Sequence, residues 1–157
     1  MIVLASIEQT KKLAEMIGKV AEPSDNLVLT GDLGAGKTTL TKGIAKGLGI
    51  QQMIKSPTYT IIREYPQGRI PLYHMDVYRV ESGATDLGLD EYFEGSGFSV
   101  IEWGNLLKEA LPVDYLELII DKDPKDMDKR LVSFKAFGEQ GKALETRILS
   151  QWEQQYG

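Results

Sequence analysis

The sequence predicts a three-layer α/β protein with a mainly parallel central sheet, helices on its faces and β-hairpins at its margins. Three observations lead to this reading. An apolar-to-β-branched run, Leu27-Val28-Leu29-Thr30, passes through a glycine-rich stretch into a helical pattern. From Ser56 the apolar period changes from helical to alternating. A further core strand pattern, Gly97–Glu102, leads into another helical one.

Each element has a local reason. Ser6-Ile7-Glu8-Gln9 has the form of a capping box and opens a helix whose inward face carries Leu13, Ile17 and Val20. Pro23-Ser24-Asp25-Asn26 ends that helix before the first buried strand. After Gly31–Gly36, Leu40, Ile44 and Leu48 recur every four residues, and Gly49 stops the second helix. Thr58–Tyr65 and Ile70–Val77 form a hairpin around Pro66-Gln67-Gly68-Arg69. Residues 81–95 read as loop and short helix, and Leu106, Leu107 and Ala110 mark a helix after the 97–102 strand. Leu116–Asp121 and Arg130–Phe137 pair across a polar loop, Lys122–Lys129, and Lys142–Gln154 is a closing amphipathic helix. Without repeat or linker, residues 1–157 read as one domain.

Composition narrows the chemistry. The chain has no cysteine, which removes disulfides, thiolate metal sites and cysteine nucleophiles, and its one histidine, His74, removes histidine clusters. The N-terminus lacks a basic leader region, and no apolar run approaches the ~20 residues of a bilayer span. The expectation is a soluble cytoplasmic protein with no membrane association. Net charge is −5 but segregated: residues 1–80 carry +3, 81–128 carry −10 and 129–157 carry +2. The acidic stretch is either a solvated face or a surface that selects a basic partner. Either way, the balance opposes a standalone nucleic-acid binder.

Gly31-Asp32-Leu33-Gly34-Ala35-Gly36-Lys37-Thr38 fits G-x-x-x-x-G-K-[ST] at every fixed position. Residue frequencies make a chance match in such a chain about a one-in-200 event, and a strand before and a helix after are what the mechanism requires. Glycines let successive amides curl around phosphates, and the helix directs its positive end at the same anion. Lys37 would reach the β- and γ-phosphates and the Thr38 hydroxyl would ligate Mg²⁺. This predicts a P-loop nucleoside triphosphate site.

Such a site needs an acid near the metal, usually at a strand's carboxyl end. Glu102 ends Ser99-Val100-Ile101 and fits as metal ligand, water-mediated partner or water activator; an exposed strand-end charge is the alternative. Asp76 is the other strand-end acid, and alternation puts it on one face with His74 and Tyr78, a face equally readable as a half-buried polar network. Thr58 follows Ser56-Pro57 in the connection that often offers a hydroxyl to the γ-phosphate, or it simply begins a strand. Trp103 is by default a core aromatic. The absence of N-K-x-D favours ATP over GTP, and five scattered arginines without an arginine-rich lid count against a metabolite kinase.

GDLGAGKTT at 31–39, SPTYT at 56–60, His74-x-Asp76-x-Tyr78-Arg79, LGLDEYF at 87–93 and Ile101-Glu102-Trp103 occur together in this order and spacing. Over residues 5–137 the chain resembles the TsaE (YjeE-type) family, bacterial P-loop ATPases of tRNA threonylcarbamoyladenosine (t6A) synthesis. The resemblance implies binding of ATP and Mg²⁺, slow hydrolysis alone, and action with TsaD and TsaB proteins, so that tRNA is met indirectly. It implies that Gly34, Ala35, Gly36, Lys37, Thr38 and Thr39 hold the phosphates, and that Thr38 and Glu102 hold the metal. Thr58 would be switch-like, Asp76 would be required for hydrolysis, and Trp103 would lie near the nucleotide. Thr10 and Arg130 would flank the adenine.

Overall fold

A computed structural model describes residues 2–31, 36–51, 62–76, 89–102 and 111–156. Among them the order is β1 (Ile2–Leu4), α1 (Ile7–Val20), β2 (Asn26–Thr30), α2 (Lys37–Gly47), β3 (Ile62–Tyr65), β4 (Leu72–Asp76), α3 (Leu89–Phe93), β5 (Phe98–Glu102), β6 (Tyr115–Asp123), β7 (Asp126–Phe137) and α4 (Gly138–Tyr156). The strands form one sheet in the order β1-β7-β6-β2-β5-β4-β3. Its centre, β6-β2-β5-β4, is parallel, and the β3–β4, β6–β7 and β1–β7 pairs are antiparallel. The mixed sheet and its marginal hairpins are those the sequence predicts.

The two faces of the sheet have separate cores. Leu27, Leu29, Val100, Leu118 and Ile120 pack against Leu13 and Ile17 of α1, Leu40 and Ile44 of α2, and Leu144 and Ile148 of α4. On the opposite face Val28, Met75 and Ile101 meet Phe93 of α3, with Tyr73, Tyr92, Leu111 and Tyr115 packed around them. Strands β2 and β5 lie between these layers, which is why both read as nearly continuous apolar runs.

Helices α1 and α2 touch backbone to backbone. A Cβ at Gly18 would collide with the Ile44 carbonyl oxygen, one at Gly43 with Ala14 Cβ, and one at Gly47 with the Glu15 carbonyl oxygen. Glycine is needed at all three positions for clearance. The ends of α1 are also fixed. Ser6 Oγ accepts the Gln9 amide at 3.3 Å, and Gln9 Oε1 accepts the Ala5 amide at 2.8 Å, so the capping box reaches back one residue beyond the cap itself. At the other end Arg69, from the β3–β4 turn, donates to the carbonyls of Gly18, Lys19 and Ala21, while Arg147 of α4 donates to that of Val20. Arg147 also pairs with the buried Asp25, whose carboxyl is raised above its usual range by burial, against the opposing pull of the Glu22 amide and Arg147.

Three elements differ from the sequence reading. β1 has no counterpart in it, because three residues carry no period and its partners lie at 130–132. The expected loop Lys122–Lys129 is strand almost throughout: β6 runs to Asp123, β7 starts at Asp126, and only Pro124 and Lys125 turn. Asp123 Oδ1 accepts the Lys125 amide at 2.7 Å and makes this tight turn self-sufficient. α4 begins at Gly138 instead of Lys142, since Asp114 accepts the Gln140 amide at 3.1 Å and caps a start that glycine alone would not signal. The expected strand over 58–61 and the helix at 106–110 lie outside the described residues.

Gly47→Ala should lower stability by about 2–3 kcal/mol through overpacking. Gly49→Ala, at φ 83° with nothing within 4 Å of its Cβ, should cost about 1–2 kcal/mol from conformation alone. Urea denaturation with unchanged m-values checks both.

Candidate functional site

β2 delivers the chain to Gly31 at the carboxyl edge of the sheet, and α2 starts six residues later. Gly36 immediately precedes α2 at φ 121°, a left-handed conformation that favours glycine, and no side chain caps the helix. The start of a helix is where backbone amides have no acceptor within the helix. Lys37 is buried, with Nζ donating to the Gly31 carbonyl at 2.8 Å across the base of the loop. Thr41 Oγ1 donates to the Lys37 carbonyl at 3.0 Å and fixes the first turn from within. Thr38 is exposed at the helix start and Thr39 is half-buried.

The parallel register brings an acid to this edge. Leu29, two residues before Gly31, stands opposite Glu102, and Glu102 stands opposite Asp76 on the far side of β5. Two acids from strands 26 positions apart thus end at the same level as the loop. Glu102 is only 8% exposed, and its Oε2 accepts a hydrogen bond from His74 Nε2. His74 lies on the sheet face that carries α2, in line with Leu72 and alternating with Tyr73 and Met75 of the opposite core. The sequence places His74 on a polar face of β4 but does not join it to Glu102. A signal is present in the i, i+2 spacing of His74 and Asp76, but pairing His74 with Glu102 requires the β4–β5 register.

The β6–β7 hairpin approaches the loop from the other side. Ile120 Cδ1 would lie 3.4 Å, and Arg130 Nε 4.0 Å, from a Cβ built on Gly36. Arg130 pairs in register with Leu4, just before α1. Thr10, in the first turn of α1, is buried, with its hydroxyl donating to the Ser6 carbonyl at 3.4 Å. Arg130 and Gly36 are thus neighbours, while the Thr10 hydroxyl is engaged within its own helix. Gly34, Ala35, Thr58 and Trp103 lie outside the described residues, and Asp76 is placed by its backbone register alone.

The arrangement offers amide donors at a helix start, one ammonium and one buried carboxylate at a single sheet edge. Among the described residues no three His, Asp or Glu side chains converge as a metal cage. Thr38 at the start of α2 and Glu102 at the end of β5 supply one hydroxyl and one carboxylate, oxygen donors of the kind Mg²⁺ takes together with phosphate oxygens and water.

Residues 4–132 match the family model described as "Threonylcarbamoyl adenosine biosynthesis protein TsaE". The tRNA threonylcarbamoyladenosine biosynthesis protein TsaE of Bacillus subtilis is 52% identical over 131 residues, covering 83% of this chain and 82% of that protein. The chain belongs to the TsaE family. The TsaE protein of a Nostoc species is 43% identical over 124 residues, 76% of each chain. The crystal structure of Bacillus subtilis YdiB aligns with a TM-score of 0.83 at 43% identity, covering 96% of this chain and 93% of that one. The fold is therefore the P-loop NTPase-like fold of the TsaE family, whose members are named for tRNA threonylcarbamoyladenosine biosynthesis. No helix among the described residues is long and apolar enough to cross a membrane.

Glu102→Ala removes the partner of a buried imidazole and should cost about 1–3 kcal/mol. Glu102→Gln keeps an acceptor and should stay within about 1 kcal/mol of the parent. Paired urea titrations distinguish them.

Proposed function

We propose that this TsaE family member is a single-domain, cytoplasmic ATPase required for forming the threonylcarbamoyl group on adenosine 37 of tRNAs that read A-starting codons. It acts with the TsaD–TsaB complex and meets tRNA through that complex. The observation that carries this reading is the joining of a glycine-gated loop and Lys37 to a buried strand-end acid, Glu102, in a chain of this family.

The chemistry is attack of water on the γ-phosphate in line with the leaving oxygen, assisted by positioning and charge. Amides of Gly34, Ala35, Gly36, Lys37, Thr38 and Thr39 bind the phosphates, and the Lys37 ammonium meets the charge that develops on them. The Thr38 hydroxyl and Glu102 would hold Mg²⁺, which would offset negative charge on the phosphate oxygens. Thr58 would serve as the switch-like threonine, and Asp76, at the end of β4, supports hydrolysis. Thr10, Trp103 and Arg130 contact the nucleoside. With only five arginines in the sequence and no arginine-rich lid, partner proteins complete the site.

Turnover of ATP by the chain alone should lie well below the ~10 s⁻¹ typical of enzymes and should rise when TsaD and TsaB are added. Equal, fast turnover without them contradicts the reading. Glu102→Gln should bind ATP and partners yet fail to support t6A formation in cells depleted of the native protein, as measured by nucleoside mass spectrometry.

A further inference from the structure

The His74–Glu102 pair has a feature that the phosphate loop does not explain. His74 is 2% exposed, its Nε2 faces Glu102 Oε2, and its Nδ1 is buried without a hydrogen-bond partner. Directly across β3 its register partner is Arg63, a side chain that only donates and whose own Nε is likewise buried without a partner. No acceptor among the described residues takes a hydrogen from Nδ1, and Nε2 is the ring nitrogen that faces the carboxylate. An imidazole on the sheet face of Leu72 and Val100 is costly to bury for packing alone.

We propose that His74 is a positioning residue for Glu102, an inference that rests on the ATPase reading above. Its Nε2 fixes Oε2 and so selects the carboxylate rotamer, leaving Oε1 for the metal or for its bound water. An imidazole suits this task. A lysine or arginine in its place would form a full ion pair with Glu102 and compete with the cation for it.

The test compares His74→Phe, which keeps a flat ring without the donor, with His74→Gln, which keeps a donor at similar reach. Glu102→Gln and the His74→Phe/Glu102→Gln double variant complete the cycle. Loss of an outer-shell orienting group typically costs about 10–100-fold. His74→Phe should therefore lower kcat for ATP hydrolysis in the presence of TsaD and TsaB by that amount. KM and the affinity for a fluorescent ADP analogue should stay within about threefold. His74→Gln should restore most of kcat, and His74→Phe should add no further loss in the Glu102→Gln background. In a separate binding experiment, Mn²⁺ affinity of the ADP complex, read by electron paramagnetic resonance, should fall with His74→Phe and recover with His74→Gln.

An unchanged kcat in His74→Phe, equal defects in the Phe and Gln variants, or additive losses in the double variant would overturn the proposal. If His74→Phe does not fold, His74→Asn, whose donor falls short of Glu102, takes its place in every comparison. A parent chain that hydrolyses no ATP with its partners refutes the ATPase reading instead. The Mn²⁺ comparison then decides the role of His74 by itself.

Discussion

The backbone-to-backbone contact between α1 and α2 is the constraint on which the other features lean. Gly18 and Gly47 meet the backbone of the facing helix and Gly43 meets the methyl of Ala14, so the helices have little freedom to roll or slide. That contact sets the direction of α2, and the direction of α2 sets where Gly36 and Lys37 stand above the sheet. α1 is in turn held at its carboxyl end by arginines from two distant parts of the chain, Arg69 and Arg147. The phosphate loop is therefore placed by a frame that extends well beyond the loop's own residues.

The sheet supplies the second half of the placement. Parallel neighbours β2, β5 and β4 end at one edge, which brings Leu29, Glu102 and Asp76 to one level even though they are far apart in sequence. A carboxylate buried there needs a partner, and His74 provides it from the adjacent strand. The antiparallel additions serve a different purpose. β6 and β7 carry Ile120 and Arg130 to the flank of the loop, and β3–β4 carries Arg69 to the far end of α1.

Much of this architecture is legible in the amino-acid sequence, for particular reasons. The capping box at Ser6 and the apolar runs of β2 and β5 are local patterns that the folded chain keeps, and the G-x-x-x-x-G-K-T motif is local too, with its Lys37 opening α2. Glu102 stands out because an acid at the end of a buried strand is conspicuous. The features that sequence does not reveal depend on long-range pairing. β1 is defined only by β7, roughly a chain length away, and the outer parts of β6 and β7 carry polar residues on both faces because they extend past the core. The His74–Glu102 contact joins two strands whose register no periodicity specifies.

The order of the sheet also bears on how the chain assembles as it is synthesised. β2 carries the phosphate loop, yet one of its two neighbours is β6, so that edge stays unpaired until residues near 120 have been made. β1 waits longer still, for Arg130–Val132. β1 is therefore made before every other strand among the described residues yet is among the last to be fixed, and such long-separation pairings slow folding. An incomplete chain ending before β6 would expose a flat apolar edge beside the loop, the kind of surface that invites association with other chains. Completion of the frame around the loop and protection of its central strand thus arrive together, with the β6–β7 hairpin.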